Sequence, residues 1–152
     1  MKKYKIYFLL ITIFSNTLIS QNLADKKVLV VWGGWDGHKP ELFANHVENW
    51  LIKEKADYKI INGLDAYDNY DELIKYDLII QSVTMDEISK EQEENLVKAV
   101  LNGVGIAGAH GGLVDSFRKN TNYQFMIGGQ FVAHPGGMIE HKVIMLNDEL
   151  TQ

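Results

Sequence analysis

At 152 residues, with 46% apolar and 11% aromatic side chains, the chain has the length of one domain and enough apolar content for a packed core, which excludes general disorder. It carries 15 basic and 20 acidic residues, a formal charge of -5, and no cysteine. Such a surface repels phosphate backbones, so no nucleic acid partner is expected, while disulfides, thiolate nucleophiles and cysteine-based metal sites are excluded together.

Residues 1–20 place Lys2, Lys3 and Lys5 ahead of an apolar stretch from Ile6 to Phe14 and then a more polar tail. This is the layout of a secretory signal, too short and too interrupted for a spanning helix, with a retained anchor as the other reading. The expected product is periplasmic or secreted, without a stable membrane span. The missing cysteine excludes a lipid-modified cysteine after cleavage. Removal of residues 1–20 would take three of the 15 basic residues and none of the 20 acidic ones, so the charge of -5 would become -8.

From there the chain alternates. Lys27 to Trp32 is a β-branched run closed by Gly33 and Gly34, which predicts a buried strand. Leu42, Phe43, Val47, Trp50 and Leu51 recur at helical spacing after Pro40, a residue suited to a first helical turn. Tyr58–Ile61 predicts a second strand, Tyr70–Lys75 a short helix and Asp77–Gln81 a third strand. Ser89 with Gln92 three residues on makes a capping box for a helix that Gly103 stops, and the run Glu91, Glu93 and Glu94 reads as its solvated face. Val104–Ala107 predicts a fourth strand, Leu113–Ile127 short helical pieces, Gln130–Ala133 a brief strand and His141–Leu146 a longer one. Strands alternating with helices give right-handed crossovers and a mostly parallel sheet covered on both faces, an α/β fold.

Three histidines follow strands: His38 in GGWDGHKP, His110 in GAHGG and His134 in FVAHPGG. In an open parallel sheet the loops beyond the carboxyl ends of the strands gather along one edge, where ligands sit, so the three can converge. One loop histidine alone is more often a turn or capping partner; three flanked by glycines that permit close approach point to a site. His46, between Phe43 and Val47, reads as a packed helix residue, and His141 as a strand-pairing residue.

Gly108-Ala109-His110-Gly111-Gly112 has the G-x-Nu-x-G form of a nucleophile elbow, a sharp strand-to-helix turn that raises one side chain over the sheet edge. The raised residue is an imidazole, suited to act as general base, metal ligand or hydrogen-bond donor. Ser116 reads as a local backbone partner. His38, His110 and His134 could surround a sugar or a divalent ion, with Asp36 or Asp115 as acid, base or orienting carboxylate. Zinc accepts three neutral imidazoles and keeps an open position, although no HExxH helix or close histidine pair supports it. Without metal, imidazoles still move protons near neutral pH. Arg118 either holds a substrate carboxylate or pairs with Asp115, three residues earlier on a helical turn. Trp35 could stack on a sugar face, whereas Trp32 reads as core.

VVWGGWDGHKPE and GAHGGLVDSFRKNTNYQFMIGGQFVAHPG, at their separation, resemble the ThuA-like trehalose-utilisation family over roughly residues 27–147. The resemblance implies a flavodoxin-like three-layer fold similar to class I glutamine amidotransferases, a role in carbohydrate utilisation, and loss of the amidotransferase cysteine, with His110 at about that position. Matching positions include Gly33, Gly34, Trp35, His38, His110, Gly111, Gly112, Asp115, Phe117, Arg118, Tyr123, Gly128, Gly129, His134 and Pro135. Taken with the reading of the residues themselves, the catalytic candidates are His38, His110, His134 and Asp115, and the expected substrate contacts are Trp35, Asp36, Gly111, Gly112, Arg118 and Tyr123. The expected ligand is a small carbohydrate, and self-association is left open. Family members usually continue beyond the strand equivalent to HKVIML, so residues 21–152 are expected to form a ThuA-like domain incomplete at its C-terminal end. Sugar isomerase, epimerase or hydrolase chemistry would fit; so would a periplasmic sugar-binding module without turnover, or, less well, a scaffold domain without a ligand site.

Overall fold

A computed structural model of the chain describes residues 23–137, 139–142 and 144. The signal-like residues 1–20 lie outside the described residues.

Strand β1 (Lys27–Gly34), helix α1 (Pro40–Glu54), β2 (Asp57–Asn62), α2 (Tyr70–Leu73), β3 (Leu78–Thr84), α3 (Lys90–Leu101), β4 (Gly105–Gly108), α4 (Gly111–Val114) and α5 (Thr121–Ile127) follow in order. The four strands are parallel in the order β2-β1-β3-β4. Because β1 feeds β2 on one side and β3 pairs on its other, the direction of winding reverses between β1 and β3. This is the topological switch point at which α/β sheets open a crevice.

Side-chain alternation along β1 sorts the core into two layers. Val28 and Val30 join Ala44, Leu51 and Ile80 under α1. Leu29 and Val31 join Leu73, Ile79, Val83, Leu96, Phe117 and Tyr123 on the other face, beneath α2, α3 and α5. A sheet covered on both faces explains why the central strands β1 and β3 carry continuous apolar runs, residues 28–31 and 78–80, whereas edge strand β2 alternates partly buried and exposed residues at its start.

The predicted alternation of strand and helix holds, and the observed bounds extend several strands toward the site. β1 runs on through Gly33 and Gly34, and β3 continues through Ser82 and Val83 to Thr84. Pro40 opens α1, and Ser89 and Gln92 form both halves of the capping box. Glu93 is a correction. Only 8% exposed, it does not belong to a solvated face: its carboxylate accepts from the Tyr123 backbone N–H at 3.2 Å and Asn120 Nδ2 at 3.0 Å. These contacts let α3 cap the start of α5. His46 is exposed on α1 rather than packed. Residues 130–133 form no strand, because Phe131 N–H turns back to the Val114 carbonyl at 2.8 Å instead of running along β4. Of the predicted strand His141–Leu146, the described residues His141, Lys142 and Ile144 are not in a strand, and the others lie outside the described residues.

Candidate functional site

The carboxyl ends of β1 and β3 meet at Thr84. Gly34 has φ +73, and a Cβ there would lie 2.1 Å from the Thr84 carbonyl oxygen, so only glycine lets the chain pass. Trp35 N–H then donates to that same oxygen at 2.8 Å. A single 310 turn over Asp36–His38 returns the chain and sets the His38 ring against Thr84, with Nδ1 3.0 Å from Oγ1.

β4 delivers the second histidine by a different device. His110 stands between β4 and α4 with φ 53 and ψ -139, a conformation that ordinary side chains seldom adopt. This is the strained backbone that the G-x-Nu-x-G pattern predicts. Gly111 follows without a Cβ, which would otherwise sit 2.6 Å from His38 Cε1. The missing side chain brings the two imidazoles into edge contact, with ring centroids 4.9 Å apart. Trp35 meets the other side of His38 at 4.9 Å, and its indole remains half exposed.

The elbow stands on a buried polar network. Gln81, fully buried in β3, accepts from Tyr67 Oη at 2.7 Å and donates to Tyr123 Oη at 2.6 Å and Ser116 Oγ at 2.8 Å. Tyr123 Oη donates in turn to the Leu113 carbonyl at 2.8 Å, and Ser116 Oγ caps the Gly112 and Leu113 carbonyls. Burial pushes the Tyr123 phenol up to about 12, against the smaller opposing effect of its Ser116 and Gln81 hydrogen bonds, and raises Tyr67 well above the ordinary phenol range. Both phenols are therefore neutral at neutral pH. Among the described residues every buried side-chain nitrogen and oxygen has a partner, which gives the elbow a rigid floor.

The third histidine arrives through the chain after α5. Phe131, fixed by its backbone bond to Val114, packs against His134 with the rings tilted at 56° and their centroids 4.7 Å apart. His38, His110 and His134 thus line one cleft of about 220 Å3, closed by Trp35, Met85, Gly111, Phe131 and the Asp115–Arg118 pair. In that pair, Arg118 Nε and Nη2 donate to the two Asp115 oxygens at 2.6 and 2.9 Å. The fork favours the pairing expected from helical spacing and raises the guanidinium above its ordinary value. Asp115 is buried, while Arg118 keeps half its side chain in solvent at the cleft wall.

Three expected contacts fall outside the cleft. Asp36 lines a separate depression with Lys39 and Glu41. Tyr123 is 1% exposed and serves the floor, since its hydroxyl is consumed by Gln81 and Leu113. Gly112 is buried against the Ser82 backbone, where an added Cβ would lie 2.9 Å from Ser82 Cα. Among the described residues no group of three or more His, Asp or Glu side chains is placed to hold a metal ion. Thr84, Met85 and Phe131 are site residues that the motif reading missed. For Thr84 a signal existed, its place at the end of an apolar strand run; Phe131 and Met85 carried none.

A sequence profile of the family described as ThuA, trehalose utilisation, matches residues 27–151. The fold is similar to the crystal structure, at 2.30 Å resolution, of a ThuA-like protein from Bacteroides uniformis ATCC 8492, with a TM-score of 0.54 and 19% identity. That likeness covers 68% of this chain and 42% of the other, so the chain spans less than half the length of that relative. No curated protein matches the chain.

Proposed function

The chain belongs to the ThuA family, described as trehalose utilisation, and from that premise we propose that the cleft binds a disaccharide or its keto derivative and acts on it by imidazole acid-base chemistry. The observation that carries the reading is the meeting of His38, His110 and His134, from three separate loops, in one cleft at the carboxyl edge of the sheet. Neutral imidazoles exchange protons with sugar hydroxyls or an adjacent carbonyl near neutral pH. His110, raised on the elbow, is the central proton-transfer residue. His38 and His134 flank the substrate oxygen, Trp35 offers an aromatic face to a sugar ring, and the Asp115–Arg118 pair fixes the wall. Divalent metal is assigned no part in this scheme. The lysine-led apolar N-terminus supports export to the periplasm or beyond.

The test is conversion of trehalose and its keto derivative by the full chain and by His110→Ala. The expected outcome is turnover by the wild type and at least about a hundredfold loss in the variant, the scale on which positioned acid-base groups act, with unchanged circular dichroism. Retained turnover in His110→Ala removes this residue from the chemistry. Sugar binding by the wild type without conversion would make the protein a binding module.

A further inference from the structure

Thr84 touches both histidine turns and belongs to neither motif. It ends β3 at the switch point with 1% of its surface exposed. Its carbonyl holds Trp35 N–H, its methyl lies 3.3 Å from where a Gly111 Cβ would stand, and its hydroxyl lies 3.0 Å from His38 Nδ1. Among the described residues that hydroxyl has no other hydrogen-bond partner.

A hydroxyl carries one proton, and neutral imidazole carries one proton shared between two possible nitrogens. Were Nδ1 protonated, it would donate into Oγ1, and the buried hydroxyl proton would have no acceptor, an arrangement that folded proteins avoid. With the proton on Nε2, Nδ1 accepts from the hydroxyl and both groups are satisfied. We infer that Thr84 is a positioning residue that donates to Nδ1 and fixes neutral His38 as its Nε2–H tautomer.

The consequence divides the work in the cleft. The Nε2–H is then the ring's free group, and it donates a hydrogen bond to a substrate oxygen rather than removing a proton. His110, whose ring makes no hydrogen bond among the described residues, keeps a free lone pair and takes the role of base. This division rests on the acid-base reading of the site; the tautomer itself does not.

The experiment is a long-range 1H–15N correlation of the imidazoles in the uniformly 15N-labelled full chain, at pH about 8.5, above the usual histidine range. The His38 signals are identified by their loss in His38→Ala. The expected result is a pyridine-like Nδ1 and a pyrrole-like Nε2 in the wild type and in Thr84→Ser, which keeps the hydroxyl. In Thr84→Val both nitrogens shift toward the averaged positions of a tautomer mixture. A pyrrole-like Nδ1 in the wild type overturns the inference, and so does a folded Thr84→Val whose His38 nitrogens do not move. If Thr84→Val does not fold, the wild-type and Thr84→Ser spectra decide. Failure of sugar turnover leaves the tautomer result standing, so the two readings fail separately.

Discussion

The His38 turn and the His110 turn place their imidazoles in edge contact, yet they hold them by opposite means. His38 has its side chain tied by Thr84 Oγ1 at 3.0 Å, on a turn whose demanding backbone lies on either side of it, at Gly34 with φ +73 and at Lys39 with φ 51, while His38 itself carries none of that strain. His110 has no such tie; its own main chain, at φ 53 and ψ -139, aims it, and the buried Gln81 network keeps that main chain in place. A ring fixed by a hydrogen bond has a chosen tautomer and little freedom. A ring aimed by its backbone keeps both nitrogens available, which suits a group that must accept and return a proton.

That contrast can be broken from either side. The largest effect is expected from Gly34→Ala, where the new methyl meets the Thr84 carbonyl and the residue is also held at φ +73. Overpacking and left-handed strain together should cost about 4 kcal/mol, read as a lower urea midpoint, and the His38–Thr84 contact should be lost with it. A midpoint close to wild type would mean that the turn readily finds another path. Next comes Gln81→Leu, which leaves the buried Tyr67 hydroxyl without its acceptor and strips donors from Ser116 and Tyr123. About 2–3 kcal/mol should be lost, with activity falling in step as the elbow loosens. Wild-type stability in that variant would show that the floor is not what holds His110.

The smallest expected effect has the opposite sign. His110→Gly relieves the strained backbone, and even after the added chain entropy of glycine it should stabilise the protein by roughly 1 kcal/mol while turnover disappears. Thermal denaturation compared with His110→Ala checks this. If glycine is no more stable than alanine at that position, the backbone is not strained and the proposed distinction between the two turns fails.

Much of this arrangement is legible in the residues. The elbow could be found from GAHGG because small neighbours are a local steric requirement, and local requirements leave local patterns. The capping box at Ser89 and Gln92 is visible for the same reason. The roles of Tyr123 and Glu93 are not legible in the sequence because they depend on partners far along the chain: Gln81 lies 42 residues from Tyr123, and the backbone N–H that Glu93 caps lies 30 residues on. A buried tyrosine and a binding tyrosine look alike in sequence, as do a solvated glutamate and one that caps a neighbouring helix.

Apolar periodicity, glycine punctuation and the two histidine turns are written in the order of the amino acids, because each depends on contacts within a few residues; they determined the α/β alternation, the elbow and the family. Which strand pairs with which, how closely Gly111 admits the His38 ring, and where the Thr84 hydroxyl ends up were decided only when β1, β3 and β4 lay side by side. Packing at the switch point joins residues 46 positions apart, His38 and Thr84, and no pattern of neighbouring residues encodes that distance.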